Sequence, residues 1–133
     1  MVQAASLRQV PRPPARPTPA SIEPSARIKP FNNAEEAWIW TMAALVARRD
    51  GARYTANQGK IGRPCDPDDI VRSLDALYRQ RRIDLLHARI LRIWGERGSA
   101  PDPTHATERA DWKLWKEALD RLEWPLRVKG IVA

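Results

Sequence analysis

DPDDIVRSLDALYRQRRIDLLHARILRIWGERG, residues 66–98, reads as two amphipathic helices joined by a corner loaded with arginine. Asp66 is placed to cap the first helix by accepting from the backbone N–H of Asp68 or Asp69. Pro67 follows at the first helical position, where a missing N–H costs nothing. Asp68 and Asp69 put negative charge at the positive end of the helix dipole. Ile70, Val71, Leu74, Leu77 and Tyr78 recur at helical spacing and form one apolar stripe. Arg79, Arg81 and Arg82 then load the last turn and the corner. The second helix begins near Asp84 and runs to about Arg97. Leu86, Ile90, Ile93 and Trp94 are expected on its buried face, with Leu85 and Leu91 beside them. Gly95 and Gly98 both qualify as its end. Helices this close in sequence are expected to fold back or cross as an αα-corner.

Two further helices complete the pattern. Asn33 is a good cap, Glu35 and Glu36 fill the first turn, and residues 34–49 are helical by spacing. Trp38, Met42, Leu45 and Val46 share a face, and Ile39, Trp40, Ala43, Ala44 and Ala47 make the other sides apolar too. Such a helix is central in its domain or covered by a partner. Asp50-Gly51 is its stop. The last helix spans about Glu108 to Glu123, with Thr104 or Thr107 as cap and Pro125 as terminator. Trp112, Trp115, Leu119 and Leu122 recur along it. Leu126, Val128, Ile131 and Val132 make an apolar tail expected to pack on the bundle. Tryptophans at this spacing read as core, Trp40 and Trp124 fitting one buried face least well.

The expected fold is therefore all-α: a small four-helix, orthogonal, helix-turn-helix-like domain over residues 31–133. It follows a disordered, basic, Pro-rich tail over residues 1–30, with polyproline II character. The tail is open to three readings: a phosphate-seeking arm, a ligand for a Pro-binding domain, or a solvated leader. Residues 51–65 read as a long polar loop with no acidic residue before Asp66.

The formal net charge is +7, and it is uneven. Residues 1–30 carry five basic residues against Glu23, and residues 47–92 carry eleven basic against six acidic; the remainder from Ile93 balances. Such a surplus favours polyanions or acidic protein surfaces. Cys65 is the single cysteine, which excludes an intrachain disulfide and a zinc cluster and fits a reducing cytoplasm. No apolar run is long enough for a membrane span, and the N-terminus lacks the apolar core of a secretory signal. Arg over Lys, with abundant Ala and Pro, matches GC-rich bacterial usage. His87 and His105 are isolated, no phosphate-cradling glycine loop is present, and no Gly-x-Ser-x-Gly elbow is present. Neither catalysis, a cofactor nor a bound metal is expected.

Leu74, Leu77, Tyr78, the run Arg79 to Arg82, then Ile90, Leu91, Trp94 and Gly95 resemble the scaffold pair of small bacterial or phage regulators of the helix-turn-helix type, although no glycine occupies this corner. The resemblance implies DNA binding and transcriptional regulation; RNA is a second polyanion that the charge surplus favours. The residues expected to face phosphates are Arg53, Lys60, Arg63, Arg79, Arg81, Arg82, Arg89 and Arg92. The rival reading is a protein-interaction module, docking a partner or a second copy through helix 34–49.

Overall fold

The computed structural model describes residues 28–51 and 62–133. The residues read as tail and as the middle of the long loop, 1–27 and 52–61, lie outside that range, and with them Arg53 and Lys60. Four helices form the body: α1 (Ala34–Arg49), α2 (Pro67–Arg79), α3 (Leu85–Arg97) and α4 (Arg109–Val128). No strand accompanies them among the described residues. Two isolated bridges tie the extended residues before α1 to the rest, Ile28 to Gly62 and Phe31 to Val132.

Local capping explains where the helices begin. The Asn33 side chain accepts from the Glu36 N–H at 2.8 Å. At α2 the return arm operates: the Asp69 carboxylate accepts from the Asp66 N–H at 2.9 Å. At α3 the Asp84 carboxylate accepts from the N–H groups of Leu86 (3.0 Å) and His87 (3.2 Å). Thr104 and Thr107 do not cap α4. Thr104 donates to Asp102 instead, and Glu108 reaches back to accept from the Asp102 N–H at 2.8 Å.

Helix α4 also passes through Pro125 rather than stopping before it. A proline so near the end removes one backbone hydrogen bond. Burial of Leu126, with Ile131 and Val132 folded beneath it, holds the final turn.

All four helices finish on a left-handed residue. Gly51, Gly98 and Gly130 serve α1, α3 and α4, whereas α2 ends on Arg81 at φ 61°. The Arg81 N–H donates to the Tyr78 carbonyl and the Arg82 N–H to the Leu77 carbonyl, at 3.0 and 2.9 Å. This is a Schellman closure with arginine in the position glycine ordinarily takes.

Three buried tryptophans close a ring through three helices. Trp38 of α1 donates to the Leu91 carbonyl of α3 at 2.9 Å. Trp94 of α3 donates to Asp111 of α4 at 3.1 Å, and Trp115 of α4 returns to Glu35 of α1 at 2.8 Å. Each indole thus buries its rings and keeps its N–H satisfied, which fixes the facing of the helices as well as their contact.

Helix α1 is central and packs on α2, α3 and α4, which accounts for apolar residues around most of its circumference. By contrast, α2 and α3 pack mainly on α1 and α4 and only weakly on each other. Each already spends its apolar stripe on the central helix. A crevice of ≈ 320 Å³ remains between them, lined by Trp38, Met42, Leu45 and Val46 of α1 with Val71, Ala88 and Arg92.

Candidate nucleic-acid interface

The corner between α2 and α3 brings together adjacent cations that, among the described residues, lack carboxylate partners, whereas Arg97, Arg109 and Lys129, also without one, lie apart and engage Trp94, the Pro103 carbonyl and Ser73. Arg81 and Arg82 are exposed, and among the described residues neither has an ion pair. The Schellman closure turns the chain sharply, so both side chains leave from the outside of the bend. Arg79 is exposed beside them and pairs with Asp75 at 3.2 Å, an i,i+4 pair in solvent worth little. Tyr78, Arg79, Arg81, Ile83, Asp84 and Leu85 line a shallow depression of ≈ 500 Å³. Arg121, not singled out in the sequence, reaches the corner from α4 and donates to the Arg82 carbonyl at 3.2 Å.

Helix α3 continues this surface. Its buried arc is His87, Ile90, Leu91, Trp94 and Gly95. Helical spacing then places Leu85, Arg89, Arg92 and Glu96 along one outward stripe. Leu85 is 67% exposed and Leu86 50%, which corrects the expectation that they line the core. The arc is centred on His87, Leu91 and Trp94, and that phase leaves the first two residues of the helix outside it. Arg89 and Arg92 are exposed without ion pairs among the described residues, Arg92 at the rim of the α1–α2–α3 crevice.

Arg63 does not join them. Its side chain is 18% exposed and turned inward. It donates to the carbonyls of Lys29 (3.2 Å) and Pro30 (3.5 Å), sits 4.3 Å over the Phe31 ring, and lies 3.8 Å from Glu36. A guanidinium so engaged fastens the extended N-terminal residues to α1 and is withdrawn from the surface. Of the eight basic residues expected at an interface, five therefore gather on the corner and α3, one is internal, and two lie outside the described residues.

The balance of charge follows the same division. The described residues hold only two of the chain's seven net positive charges. The other five belong to residues 1–27 and 52–61, through Arg8, Arg12, Arg16, Arg27, Arg53 and Lys60 against Glu23. Residue 28, where the first stretch ends, is paired with Gly62, where the second ends: the Lys29 N–H donates to the Gly62 carbonyl at 3.0 Å.

His87 supports the corner from beneath. Its ring is buried, with Nδ1 accepting from the Asp84 N–H at 3.1 Å and Nε2 lying 3.0 Å from Glu117 Oε1 of α4. Nδ1 also lies 3.0 Å from Asp84 Oδ1, so the ring is held between the carboxylates of Asp84 and Glu117. Bonding to the His87 ring holds the Glu117 carboxyl below its ordinary 4.5, and the backbone N–H of His87 holds Asp84 below its ordinary 3.8.

Depressed carboxylate pKa values stabilise the fold above the unfolded pKa and lose that contribution as pH falls through the folded one. Stability is therefore expected to drop below about pH 4.5. Urea melts between pH 7 and pH 3 check this, with Glu117→Gln showing the shallower loss over that window. Equal loss in variant and parent would break the assignment.

Other chemistry-bearing residues are quiet. Burial, with Asp69 and Asp66 nearby, pushes the Cys65 thiol up to about 11, so at neutral pH it is the protonated, poorly nucleophilic form. Among the described residues no group of three or more His, Cys, Asp or Glu is gathered to hold a metal ion. None of the described helices is long and apolar enough to cross a membrane. No protein-family model, curated protein or solved structure matches this chain.

Proposed function

We propose that this chain is a DNA-binding protein of helix-turn-helix type that presents the outer stripe of α3 to a duplex groove. Arg79, Arg81 and Arg82 meet the phosphate backbone beside it. The observation that carries the reading is the continuous exposed surface of Arg81, Arg82, Leu85, Arg89 and Arg92, whose cations have no carboxylate of their own among the described residues. A helix whose first turns are exposed suits a major groove. There arginine bonds guanine edges and an apolar side chain such as Leu85 or Leu86 meets a thymine methyl. The basic residues of 1–27 and 52–61 add sequence-independent attraction. Regulation of transcription is the role such a domain ordinarily serves.

The test is a fluorescence-polarisation titration of the full chain against duplex DNA, single-stranded DNA and RNA at two salt concentrations. Tightest binding to duplex, falling steeply with salt, is expected. Equal weak binding to all three polymers would leave only a basic protein without a groove-reading helix.

Arg81 offers a sharper check. A left-handed non-glycine residue costs about 1–2 kcal/mol, and strain of that kind tends to persist at functional positions. Arg81→Gly relieves it, at the expense of a more flexible unfolded chain. Stability should thus be unchanged or raised by up to about 1 kcal/mol. Affinity for DNA should fall about fivefold, as for one lost phosphate contact. A variant that keeps full affinity would remove Arg81 from the interface.

A further inference from the structure

The outward face of α4 is a second surface, unused by the proposed reading. Helical spacing aligns Ala110, Lys113, Glu117, Arg121, Trp124 and Val128 along it, and all six are exposed. Trp124 and Val128 are 68% and 66% exposed, the most open large apolar side chains on the body together with Leu85. A tryptophan at the centre of an exposed helical face is the kind of residue that anchors an interface.

The order of residues indicates what covers it. Turn a second copy of α4 end over end about a two-fold axis level with Leu119. Glu117 then meets the second copy's Arg121, and Arg121 meets its Glu117. Trp124 falls over its Lys113, and Val128 falls beside its Ala110. Acid meets base at the middle, indole meets an alkylammonium stem at each flank, and apolar meets apolar at each end, over about 27 Å of helix. An isologous contact requires just such reciprocal complementarity. The groups retain capacity for it. Glu117 uses Oε1 toward His87, which leaves its second oxygen, and Arg121 uses one N–H of five on the Arg82 carbonyl. Asp120, on the flank, is paired within its own helix to Lys116 at 3.3 Å.

We infer that the partner of this face is a second copy of the chain, joined through antiparallel α4 helices. This inference stands apart from nucleic-acid binding and is tested without it. Sedimentation of the full chain at about 100 μM, a range that detects even modest self-affinity, should give twice the 15.2 kDa of one chain.

Trp124→Glu should raise the dissociation constant at least about 30-fold, the loss expected of a buried aromatic anchor. Arg121→Glu should weaken the dimer as well, and adding Glu117→Arg should restore it by exchanging the pair. Circular dichroism confirms that each variant folds, and Val128→Asp repeats the test at a position that is 66% exposed. A parent chain that stays monomeric at that concentration overturns the proposal. So does a dimer indifferent to both Trp124→Glu and Val128→Asp, or a monomer in which Trp124→Glu lowers only DNA affinity.

Discussion

Reversing Arg81, Arg82 and Arg89 together to glutamate is expected to lower affinity for duplex DNA by about 100-fold or more. Non-specific affinity of about 10⁻⁵ M spread over six to ten phosphate contacts is roughly 1 kcal/mol for each contact. Three lost contacts, each replaced by a charge that repels phosphate, give at least that factor. The slope of log affinity against log salt should become shallower by nearly one for each contact removed. All three side chains are exposed without ion pairs among the described residues, so the fold should tolerate the change. A charge-matched control reverses Arg72, Arg109 and Arg127, which bond Asp69, the Pro103 carbonyl and Glu123 elsewhere on the surface. The control should lose far less affinity if the corner is the interface. Equal losses would mean that net charge alone governs binding, and the corner would have no special standing.

The difference between those two sets of arginines was only partly legible in the sequence, and the reason is distance along the chain. Helix starts depend on residues within one turn, so Asn33, Asp66 with Asp69, and Asp84 announce α1, α2 and α3 where they occur. The end of α4 depends instead on what Leu126 packs against, and Pro125 is overridden. Arg63 resembles any loop arginine until Phe31 and Glu36 arrive from α1 and its approach. Phe31 itself, fully buried, lies in the extended residues that no periodicity marks. The corner arginines were readable because they directly follow the last turn of α2 in sequence; Arg121 was not, because α4 delivers it from 39 residues away. His87 carries a weak local signal, three residues after Asp84 where a capping box usually has Glu or Gln. Its contact with Glu117 has no sequence signal at all. Leu85 and Leu86 show the limit of pattern reading within one helix. Their apolarity suggested burial, and only the phase fixed by Leu91 and Trp94 against α1 and α4 puts them outside.

Gly95→Val is expected to destabilise the fold by about 3 kcal/mol. The sequence offered Gly95 and Gly98 alike as a helix end, yet their roles are opposite. Gly98 adopts φ 76° with open space around it, so it terminates α3. Gly95 is helical and buried where α1 crosses. A Cβ there would lie 2.5 Å from Met42 Cγ and 3.0 Å from Trp38 Nε1. Met42 has rotatable bonds with which to yield. Trp38 does not, because its N–H is committed to the Leu91 carbonyl on the same helix as the intruding group.

Alanine at 95 would gain about 1 kcal/mol of helix propensity and spend it against one to three of overpacking, so a net loss of roughly 1 kcal/mol is expected. Valine adds two methyl groups to the same gap and cannot recover the difference. Urea melts of Gly95→Ala, Gly95→Val and Met42→Ala/Gly95→Ala separate the causes. If the clash with Met42 dominates, the double variant loses less than the sum of its two single changes. Additive losses would place the strain on Trp38 and the ring of indole hydrogen bonds. A stability gain in Gly95→Ala would mean that α1 and α3 are not in close contact at this crossing.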